Sequence, residues 1–478
     1  MKLSALLQDV ETKNVYTTDP EITNITENSQ KVRNSGLFVC IRGNGCDGHD
    51  FAQKAMDRGA VAVICERDIG IKNSIIVENS RKAYAQICAA FYGSAHKKLR
   101  MIAVTGTNGK TTTSYIIRKI LESSGCKTGL IGTVNVVIGK EKYPADLTTP
   151  DPADLHRYLM LMKIAGCEAC VMEVSSQALA QLRVYGINFD CAVFTNLSPE
   201  HLDYHKSMQE YAKAKAVLFE NSKVSVINSD DEFSEFMQNC AVGKVVTYGV
   251  NEKADFFADK LNLSSDGVSY RLNSKGKEHY VTFDGLGRFS VYNSLAALAV
   301  TNTLGVDTDR AVRAVARFDG IAGRMEKVEN QLGINVIIDY AHTPDSLENA
   351  LKTLGTVYNG RLITVFGCGG DRDKEKRPLM GKIASENSDF VFVTSDNPRT
   401  EAPETIIDEI VQGIEAKNYY KITDRKLAIK SALYSAKAGD TVLIAGKGHE
   451  KYQILGTQKI YFNEREIIRK LLEDKARF

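Results

Sequence analysis

The sequence predicts an α/β fold built on largely parallel sheets, and three observations lead to this expectation. Apolar runs of strand length alternate with helical patterns through most of the 478 residues, which is typical of parallel α/β architecture. The length favours roughly two to four domains. Residues 254–286 instead show alternating patterns between turn signals such as Ser264-Ser265-Asp266-Gly267, which predicts antiparallel hairpins added to the sheet.

Two polar stretches divide the chain into three segments. Residues 94–100 are polar and basic and precede a new strand, and residues 326–333 form the second stretch. We therefore expect three domains, at 1–98, 99–328 and 329–478. The supporting strand patterns lie at 36–40 and 60–65 in the first segment and at 335–343, 361–372 and 440–450 in the last.

Composition and charge argue against several classes of partner. The 61 basic and 59 acidic residues give a formal net charge of +2, which offers no reason to expect nucleic acid or an acidic membrane surface. The N-terminal residues lack the apolar core of a secretory signal. No apolar run approaches the about 20 residues of a spanning helix. We expect a cytosolic protein.

The ten cysteines are scattered, and most lie in apolar runs, where a thiol behaves as a small hydrophobic group. Cys167 and Cys170 have CxxC spacing. Because no second pair or histidine cluster accompanies them, ordinary strand residues are a better interpretation than a zinc or redox site.

A glycine-containing loop joins a predicted buried strand, residues 99–104, to a predicted helix. The loop reads TGTNGKTTT from Thr105, and Ile116, Ile117, Ile120 and Leu121 then share one helical face. This is the context of a P-loop, whose backbone N–H groups bind phosphate oxygens. Lys110 would supply charge, and the hydroxyl of Thr111 or Thr112 would reach Mg²⁺. Val104 stands where the general motif has its first glycine.

Two polar features follow this loop in the chain. Glu173 ends an apolar strand pattern, where a lone buried carboxylate is costly; it is either a Mg²⁺ ligand or a salt-bridged structural acid. His201 and His205 have the spacing of HExxH, but Leu202 replaces the glutamate base of zinc peptidases. The histidines are either surface residues or include a ligand of a second metal. Lys213 and Lys215 belong to an apolar helical stretch.

The strand pattern at 390–393 ends in a compact polar group, Ser395-Asp396-Asn397-Pro398-Arg399-Thr400-Glu401. A turn before a helix is one interpretation. A recognition loop for a ligand that carries both charges is the other.

The segment GCGGDR, residues 367–372, suggests a dinucleotide site at first sight. It lacks GxGxxG spacing and runs into the charged residues 371–377, which is too charged to open a packed helix beneath a pyrophosphate. We expect part of that charged run to be a solvated face.

Several motifs together resemble those of the Mur ligases, which build the peptidoglycan precursor. They span nearly the whole chain in order: TGTNGKTTT, MEVSSQALAQLR, FTNLSPEHLDYH followed by Lys215, GRME, DYAHTPDSLENAL, GCGGDRDKEKRPLMG, SDNPRTE and AGKGHEKYQ. One departure is Asn28-Ser29-Gln30, where the family commonly has Asp-Ser-Arg.

The resemblance implies an ATP-dependent ligase that adds meso-2,6-diaminopimelate to UDP-N-acetylmuramoyl-L-alanyl-D-glutamate through an acyl phosphate, with Mg²⁺. It implies an N-terminal domain that binds the UDP-sugar, a central P-loop ATPase domain with a mostly parallel sheet and a C-terminal Rossmann-like domain that binds the amino acid. The partners are then small molecules, without nucleic acid or membrane insertion. We expect a cytoplasmic monomer.

The resemblance also implies residue roles. The catalytic positions are Lys110, His201 and Lys215, the last matching a carbamylated lysine. Metal positions are Thr111, Glu173, His201 and Lys215. ATP positions are Thr105, Gly106, Thr107, Asn108, Gly109, Lys110, Thr111, Thr112, Asn293, Arg324, Asp339 and His342. Positions for the uridylated sugar-peptide are Ser29, Thr148, Thr149, Ser175, Gln181 and Arg183. Positions for diaminopimelate are Arg372, Asp396, Asn397, Pro398, Arg399, Gly446 and Glu450.

Physical chemistry gives the 394–401 loop a specific role once diaminopimelate is considered. This acceptor carries a second carboxylate and ammonium at its far end. Arg399 could bind that carboxylate with a bidentate fork, which lysine cannot imitate. Asp396 or Asn397 could orient the ammonium, and Pro398 would reduce the ordering cost of binding.

Three other functions remain open at this point. A lysine-adding ligase of the same family is disfavoured by Arg399. A folylpolyglutamate synthetase would share the P-loop but needs neither residues 1–98 nor SDNPRTE. A nucleotide switch protein without turnover is disfavoured by the metal-site positions and by the third domain's polar residues.

Overall fold

Each of the three segments of the chain contributes its own sheet. The computed structural model describes residues 1–16, 18–43 and 45–477, and gives only the backbone at residue 203. Sheets of four, eleven and six strands follow one another along the chain, together with a two-stranded ribbon. The predicted α/β class with mostly parallel sheets is confirmed.

The first sheet is fully parallel, in the order β1-β2-β3-β4. Leu37, Val39, Ala62 and Ile64 pack on one face with helix α3, while Phe38 and Val63 pack on the other. The strands are β1 Asn24–Thr26, β2 Gly36–Val39, β3 Ala60–Cys65 and β4 Ser74–Ile76, and the helices are α1 Leu3–Leu6, α2 Ala52–Asp57 and α3 Ser80–Phe91.

The second sheet has a parallel centre and antiparallel ends. Its order is β15-β14-β13-β12-β11-β10-β5-β9-β6-β7-β8. The strands are β5 Arg100–Thr105, β6 Thr128–Ile131, β7 Asn135–Ile138, β8 Glu141–Pro144, β9 Ala169–Glu173, β10 Cys191–Phe194, β11 Val224–Asn228, β12 Lys244–Gly249, β13 Phe256–Ser264, β14 Gly267–Ser274 and β15 Lys277–Phe283. Strands β13, β14 and β15 pair antiparallel, which confirms the predicted hairpins.

Helices cover both faces of this second sheet. Ile116, Ile117, Ile120 and Leu121 are at most 2% exposed, as the helical pattern predicted, and burying each one stabilises the fold by about 1.5–3 kcal/mol. The helices are α4 Lys110–Ser123, α5 Pro152–Ile164, α6 Ser176–Ala180, α7 Leu202–His205, α8 Met208–Glu220, α9 Ser234–Cys240, α10 Gly287–Thr303 and α11 Thr308–Val315.

The third sheet is parallel except at one edge, where β16 pairs antiparallel with β17 in the order β16-β17-β21-β18-β19-β20. Its edge strand starts at Glu326, two residues inside the predicted central segment. The strands are β16 Glu326–Lys327, β17 Asn335–Asp339, β18 Leu362–Phe366, β19 Phe390–Val393, β20 Tyr419–Lys421 and β21 Thr441–Ala445, with the ribbon β22 Tyr452–Leu455 and β23 Gln458–Tyr461. The helices are α12 Pro344–Val357, α13 Lys376–Glu386, α14 Pro403–Val411, α15 Arg425–Ser435 and α16 Glu464–Ala476.

Parallel pairing brings the carboxyl ends of strands to the same edge of each sheet, where open α/β sheets bind ligands. In the second sheet Val104 pairs with Glu173, and Thr105 pairs with Phe194. In the third, Asp339 pairs with Ala445 and Phe366 with Val393. Many of the predicted functional residues follow these strand ends, while Lys215 and Asn293 lie on helices α8 and α10. None of the helices in the described ranges combines the length and apolar content needed to cross a membrane.

Candidate active site

The loop between β5 and α4 is packed tightly against the loop that follows β10. Gly106 has φ 148°, and a Cβ there would lie 1.9 Å from Thr195 Oγ1; Gly109 has φ 85°, and a Cβ there would lie 2.4 Å from Asn293 Oδ1. Only glycine fits such positions without strain. The close approach leaves the backbone N–H groups and the start of α4 available for phosphate oxygens.

Lys110, the first residue of α4, lies over this loop. Its ammonium donates to the carbonyls of Gly106 (2.9 Å) and Thr107 (2.7 Å). Burial lowers its pKa, and the carboxylates of Glu200 and Glu173 act in the opposite direction. The charge therefore lies at the loop where a nucleotide's phosphates would bind.

Lys215, on α8, is 1% exposed. Its ammonium donates to the carbonyl of Gly106 at 3.0 Å and lies 4.5 Å from the centre of the Tyr211 ring. Burial, followed by the nearby charge of Lys110, holds its pKa well below the usual lysine value. A lowered pKa favours the neutral amine, which is the form that reacts with CO₂. A carbamate would replace the repulsion from Lys110 with attraction.

Glu173 is completely buried at the end of β9. Its carboxylate accepts from the Thr111 hydroxyl (2.9 Å) and from the backbone N–H (3.0 Å) and hydroxyl (2.9 Å) of Thr133. No group of three or more His, Cys, Asp or Glu side chains in the described ranges is arranged as a metal site. A P-loop threonine beside one acid nevertheless suits Mg²⁺, which keeps several waters and binds substrate phosphates.

Glu200 lies where the second and third sheets meet. Its Oε1 is 3.6 Å from His201 Nε2 and 4.0 Å from His342 Nε2. Burial alone would raise the pKa of Glu200, but His201, His342, Lys110 and Lys215 together lower it. The lowered pKa favours its carboxylate form, which lies among basic side chains from both sheets. In the sequence, Glu200 appears only as part of the FTNLSPEHLDYH motif, and that motif gives no sign that its carboxylate is buried.

The predicted ATP positions of the third segment approach the P-loop helix. Arg324 donates from Nη2 to the Thr111 hydroxyl at 3.2 Å, and its guanidinium lies 4.6 Å from the centre of the Tyr340 ring. Asp339 accepts from the N–H groups of Met325 (2.7 Å) and Ala341 (2.8 Å), and burial raises its pKa. Burial lowers the pKa of His342. On the other side, Asn293 accepts from the Thr113 hydroxyl at 3.3 Å.

Five of the six predicted sugar-peptide positions cluster beside Glu173. Thr149 donates to the Glu173 carbonyl (2.9 Å) and accepts from the Ser175 N–H (3.0 Å). Arg183 donates to the Thr149 carbonyl at 2.8 Å and to Gln181 Oε1 at 2.8 Å. The Thr148 hydroxyl lies 3.0 Å from the Thr133 hydroxyl, which donates to the Glu173 carboxylate.

Ser29 lies apart from this cluster, in the first sheet's domain. It begins a short 3-10 helix, and its carbonyl accepts from Arg58 at 3.2 Å. Glu27, close by, has a pKa raised by burial and by Asp151 and lowered by Arg81 and Arg183. The loop after β1 therefore faces the sugar-peptide residues of the second domain.

A second polar pocket lies at the carboxyl ends of β19 and β21. Asp396 is 8% exposed, and its Oδ2 has no hydrogen-bond partner among the described residues. A Cβ on Gly446, at φ 113°, would lie 2.7 Å from that oxygen, so glycine is required there. Lys447 and Arg425 approach Asp396 only at 4.0 and 3.9 Å. Asp396 therefore keeps one buried acceptor oxygen unused within the described part of the chain.

Asn397 and Glu450 are hydrogen-bonded to each other. Asn397 Oδ1 accepts from Lys447 (2.9 Å) and from the Ile454 N–H (3.0 Å), while its Nδ2 donates to Glu450 at 2.9 Å. Asn397 thus holds the pocket wall, and of the two predicted ammonium partners Asp396 is the one with a vacant acceptor.

Arg399 is half-buried and has φ 52°, a left-handed conformation that is strained for a long side chain. Its Nη1 donates to the carbonyls of Gly370 (2.7 Å) and Asn397 (3.4 Å). Among the described residues, these are its only side-chain hydrogen bonds. The Nε and Nη2 edge of the guanidinium therefore remains for a carboxylate.

The charged run 371–377 is exposed to solvent only in part, as expected. Arg372 is exposed, and with Asp371, Asp373, Lys374 and Glu401 it lines an open depression beside the pocket. Arg377, however, is completely buried and forms ion pairs with Glu401 and Glu409. The expected solvated face is therefore confirmed for residues 371–375, while Arg377 is buried because two carboxylates distant in sequence offset the cost of burying its charge.

Several other contributing residues carried no recognisable sequence signal. Asp345 accepts from the Asn108 side chain (2.6 Å) and the Ser198 hydroxyl (3.2 Å), which joins the third domain to the P-loop. Arg425 is paired with Glu464 at 2.6 Å beneath Asp396. Both contacts link positions far apart in the chain.

Comparisons with known proteins agree with this geometry. Three family profiles match in succession: Mur ligase family, catalytic domain, at residues 21–94; Mur ligase middle domain at 104–301; and Mur ligase, glutamate ligase domain, at 323–448. UDP-N-acetylmuramoyl-L-alanyl-D-glutamate--2,6-diaminopimelate ligase 1 of Clostridium acetobutylicum is 44% identical over 99% of this chain and 100% of its own.

The chain belongs to the Mur ligase family.

Solved structures place this Mur ligase in the same three-domain architecture. A structure of a UDP-N-acetylmuramoyl-L-alanyl-D-glutamate--2,6-diaminopimelate ligase is 34% identical, with a TM-score of 0.72 over 100% of this chain and 99% of that one. A Mycobacterium tuberculosis folylpolyglutamate synthase complexed with ADP and AMPPCP is 18% identical, with a TM-score of 0.65. The structural match covers 92% of that synthase chain and 76% of this Mur ligase. At this level of identity, the match shows the fold alone.

Proposed function

We propose that this Mur ligase is an ATP-dependent amide ligase that adds meso-2,6-diaminopimelate to UDP-N-acetylmuramoyl-L-alanyl-D-glutamate in peptidoglycan precursor synthesis. The observation that carries this is the pocket at Asp396 and Arg399. It combines an Asp396 carboxylate oxygen and an Arg399 guanidinium edge that have no hydrogen-bond partner among the described residues. These groups complement the ammonium and carboxylate at the far end of this acceptor.

The proposal assigns one role to each of the three segments. Residues 1–98 would bind the UDP end, 99–328 would bind ATP, and 329–478 would bind the amino acid. The similarity to diaminopimelate ligases over nearly full length supports this division. The chain would act as a cytoplasmic monomer.

The first chemical step is phosphoryl transfer. The γ-carboxylate of the D-glutamyl residue attacks the γ-phosphorus of ATP, giving an acyl phosphate and ADP. Lys110 and the N–H groups of the P-loop would hold the phosphates, and catalysis would come chiefly from positioning and charge neutralisation. Asn293, Arg324, Asp339 and His342 would hold the rest of the nucleotide across the two domains.

Thr111 and Glu173 would hold one Mg²⁺, and His201 with carbamylated Lys215 a second. The metal would supply neutralisation of phosphate charge. Burial of Glu173 and the low pKa of Lys215 both fit this assignment. Glu200 would hold His201 and His342 in place through its ionised carboxylate.

The second step is amide formation. The neutral amine of diaminopimelate attacks the acyl phosphate, and a tetrahedral intermediate collapses to the amide and inorganic phosphate. Thr148, Thr149, Ser175, Gln181 and Arg183 would orient the peptide beside the phosphate site. Closure of the domains, to which the Asn108–Asp345 hydrogen bond contributes, would exclude water from the acyl phosphate.

The test is phosphate release with each substrate omitted in turn. We expect release that requires the uridylated muramoyl dipeptide, ATP and meso-diaminopimelate together, with a product heavier by one diaminopimelate residue. Product formation with lysine alone would support the lysine-adding function. Release with a folate substrate, or nucleotide binding without turnover, would overturn the proposal.

A further inference from the structure

Three segments of the third domain meet around the completely buried guanidinium of Arg377. We propose that Arg377, acting through Glu401, is the positioning residue that fixes Arg399 and so sets selectivity for an acceptor with a distal carboxylate. This inference rests on the proposed function. It assigns a role to Arg377, a residue of the charged run 371–377 that is not among the predicted diaminopimelate contacts.

Arg377 is bidentate to Glu401. Its Nη1 and Nη2 each lie 2.9 Å from one oxygen of that carboxylate, a fork that fixes both distance and orientation. Nη2 also donates to the carbonyl of Gly369 at 3.2 Å, and Nη1 donates to Glu409 at 2.5 Å. One side chain therefore holds the loop after β18, the loop after β19 and helix α14.

The same two loops carry the groups that hold Arg399. Arg399 donates to the carbonyl of Gly370, the residue next to the one that Arg377 holds. Gly370 in turn donates from its N–H to the Asn397 carbonyl at 2.9 Å. A Cβ on Gly370 would lie 1.9 Å from the Pro398 carbonyl oxygen, so the loops are in direct backbone contact.

Further polar contacts join the two loops on the side of Glu401. Glu401 accepts from the Asp371 N–H at 2.6 Å and pairs with Lys374 at 3.3 Å. The Asp371 carboxylate accepts from the Thr400 hydroxyl at 2.6 Å. Residues 369–374 and 397–401 are thus joined by several polar contacts. Of the residues that make these contacts, Arg377 lies beneath the two loops in the protein interior.

Arg399 needs such support because its backbone is strained. A φ of 52° persists only where surrounding contacts over-determine it. Glu401, two residues later, fixes the chain on the carboxyl side, and the Arg399 N–H donates to the Ile454 carbonyl at 3.1 Å. Without the Arg377–Glu401 fork, the loop could relax and move the guanidinium away from the distal carboxylate.

The expected consequence is specific to the acceptor. Within the described ranges, neither Arg377 nor Glu401 forms a hydrogen bond or ion pair with the P-loop or with the residues beside Glu173. ATP and the muramoyl dipeptide should therefore bind as before, while diaminopimelate loses a correctly placed partner. An acceptor without a distal carboxylate, such as L-lysine, has no such partner to lose.

The experiment compares steady-state kinetics of Arg377→Lys, Glu401→Gln and Glu409→Gln with those of the wild-type enzyme. Arg377→Lys keeps the charge but not the fork. We expect KM for meso-diaminopimelate to rise about tenfold or more in Arg377→Lys and Glu401→Gln, with KM for ATP and for the dipeptide within about twofold. Glu409→Gln should change this KM less, since among the described residues the carboxylate of Glu409 pairs with Arg377 and with no group of either loop.

A matched control comes from the opposite edge of the same sheet. Arg361 and Asp440 form an ion pair at 2.5 Å near the amino ends of β18 and β21. Arg361→Lys should lower thermal stability without changing KM for diaminopimelate. If Arg377→Lys does not fold, Glu401→Gln alone carries the test.

The inference is overturned if folded Arg377→Lys or Glu401→Gln raises all three KM values together, or leaves KM for diaminopimelate unchanged. Failure of the proposed function is a different result, in which the wild-type enzyme itself does not use diaminopimelate.

Discussion

The phosphate site and the acceptor pocket are built in different ways. The phosphate site uses one contiguous loop, Thr105 to Thr113, whose shape depends on glycine and on close backbone packing against Thr195 and Asn293. The acceptor pocket is assembled from three loops far apart in the chain, and it depends on buried charges such as Arg377, Arg425 and Lys447. On the proposed function, the first would serve a reaction step common to every acceptor, and the second would decide which acceptor is used.

The largest expected effect on activity comes from Lys110, in the phosphate site. Lys110→Ala should reduce phosphate release by about a thousandfold or more, because one preorganised cation at the transferring phosphoryl group is lost. The loss should be the same for every acceptor. Phosphate release by Lys119→Ala, in the same helix but paired with Asp319 at 3.2 Å, provides the control. Retained turnover in Lys110→Ala would refute the P-loop assignment.

Lys215 should give the next largest effect. Lys215→Ala should lose about a hundredfold or more of activity, since the negative charge of the proposed carbamate would be lost, and short carboxylic acids added to the assay should restore part of it. Lys213→Ala changes an exposed lysine two residues earlier, paired with Glu210 at 2.8 Å, and should leave activity intact. Full activity of Lys215→Ala without added acid would argue against the carbamate.

The pH range in which both sites can be assayed is limited by the stability of the fold. That stability depends in part on a buried pair of histidines, His96 and His156. The ring centroids are 5.4 Å apart, and neither nitrogen of His156 has a hydrogen-bond partner among the described residues. Burial lowers the pKa of His96 to about 4 and that of His156 to about 3. The folded state therefore excludes protons that the unfolded chain takes up below about pH 6.5.

Stability should accordingly be retained above pH 6.5 and fall as the pH drops towards 3–4. Each histidine removes about 1.4 kcal/mol of unfolding free energy per pH unit in that window. His156→Phe should lose less stability than the wild type between pH 7.5 and pH 5, as measured by denaturant unfolding. A parallel loss in both proteins would contradict this explanation.

The two regions also differ in how far the sequence alone predicts them. The strand, glycine loop and helix of the P-loop are consecutive, so their pattern is visible in a single stretch, and the antiparallel hairpins at 256–283 were equally local. Burial of Glu173 followed from its place at the end of an apolar strand. These features depend on short-range periodicity and on glycine.

The rest depends on contacts between distant residues. The Arg377–Glu401–Glu409 cluster, the Arg425–Glu464 pair and the Asn108–Asp345 hydrogen bond each join segments that the sequence separates widely. In a charged run, nothing local distinguishes the buried Arg377 from its exposed neighbour Arg372. The sequence did not predict a role for Glu200 for the same reason, because its histidine and lysine neighbours come from several different elements.

The central claim is that the Arg399 guanidinium recognises the distal carboxylate of the acceptor. The measurement that tests it most directly is kcat/KM for meso-diaminopimelate and for L-lysine with the wild-type enzyme and Arg399→Ala. Since hydrogen bonds to charged groups contribute about 1.5–3 kcal/mol, we expect the wild-type preference for diaminopimelate to fall by about 10- to 150-fold in the variant. Equal use of lysine by the wild type, or an unchanged preference in Arg399→Ala, would contradict the account.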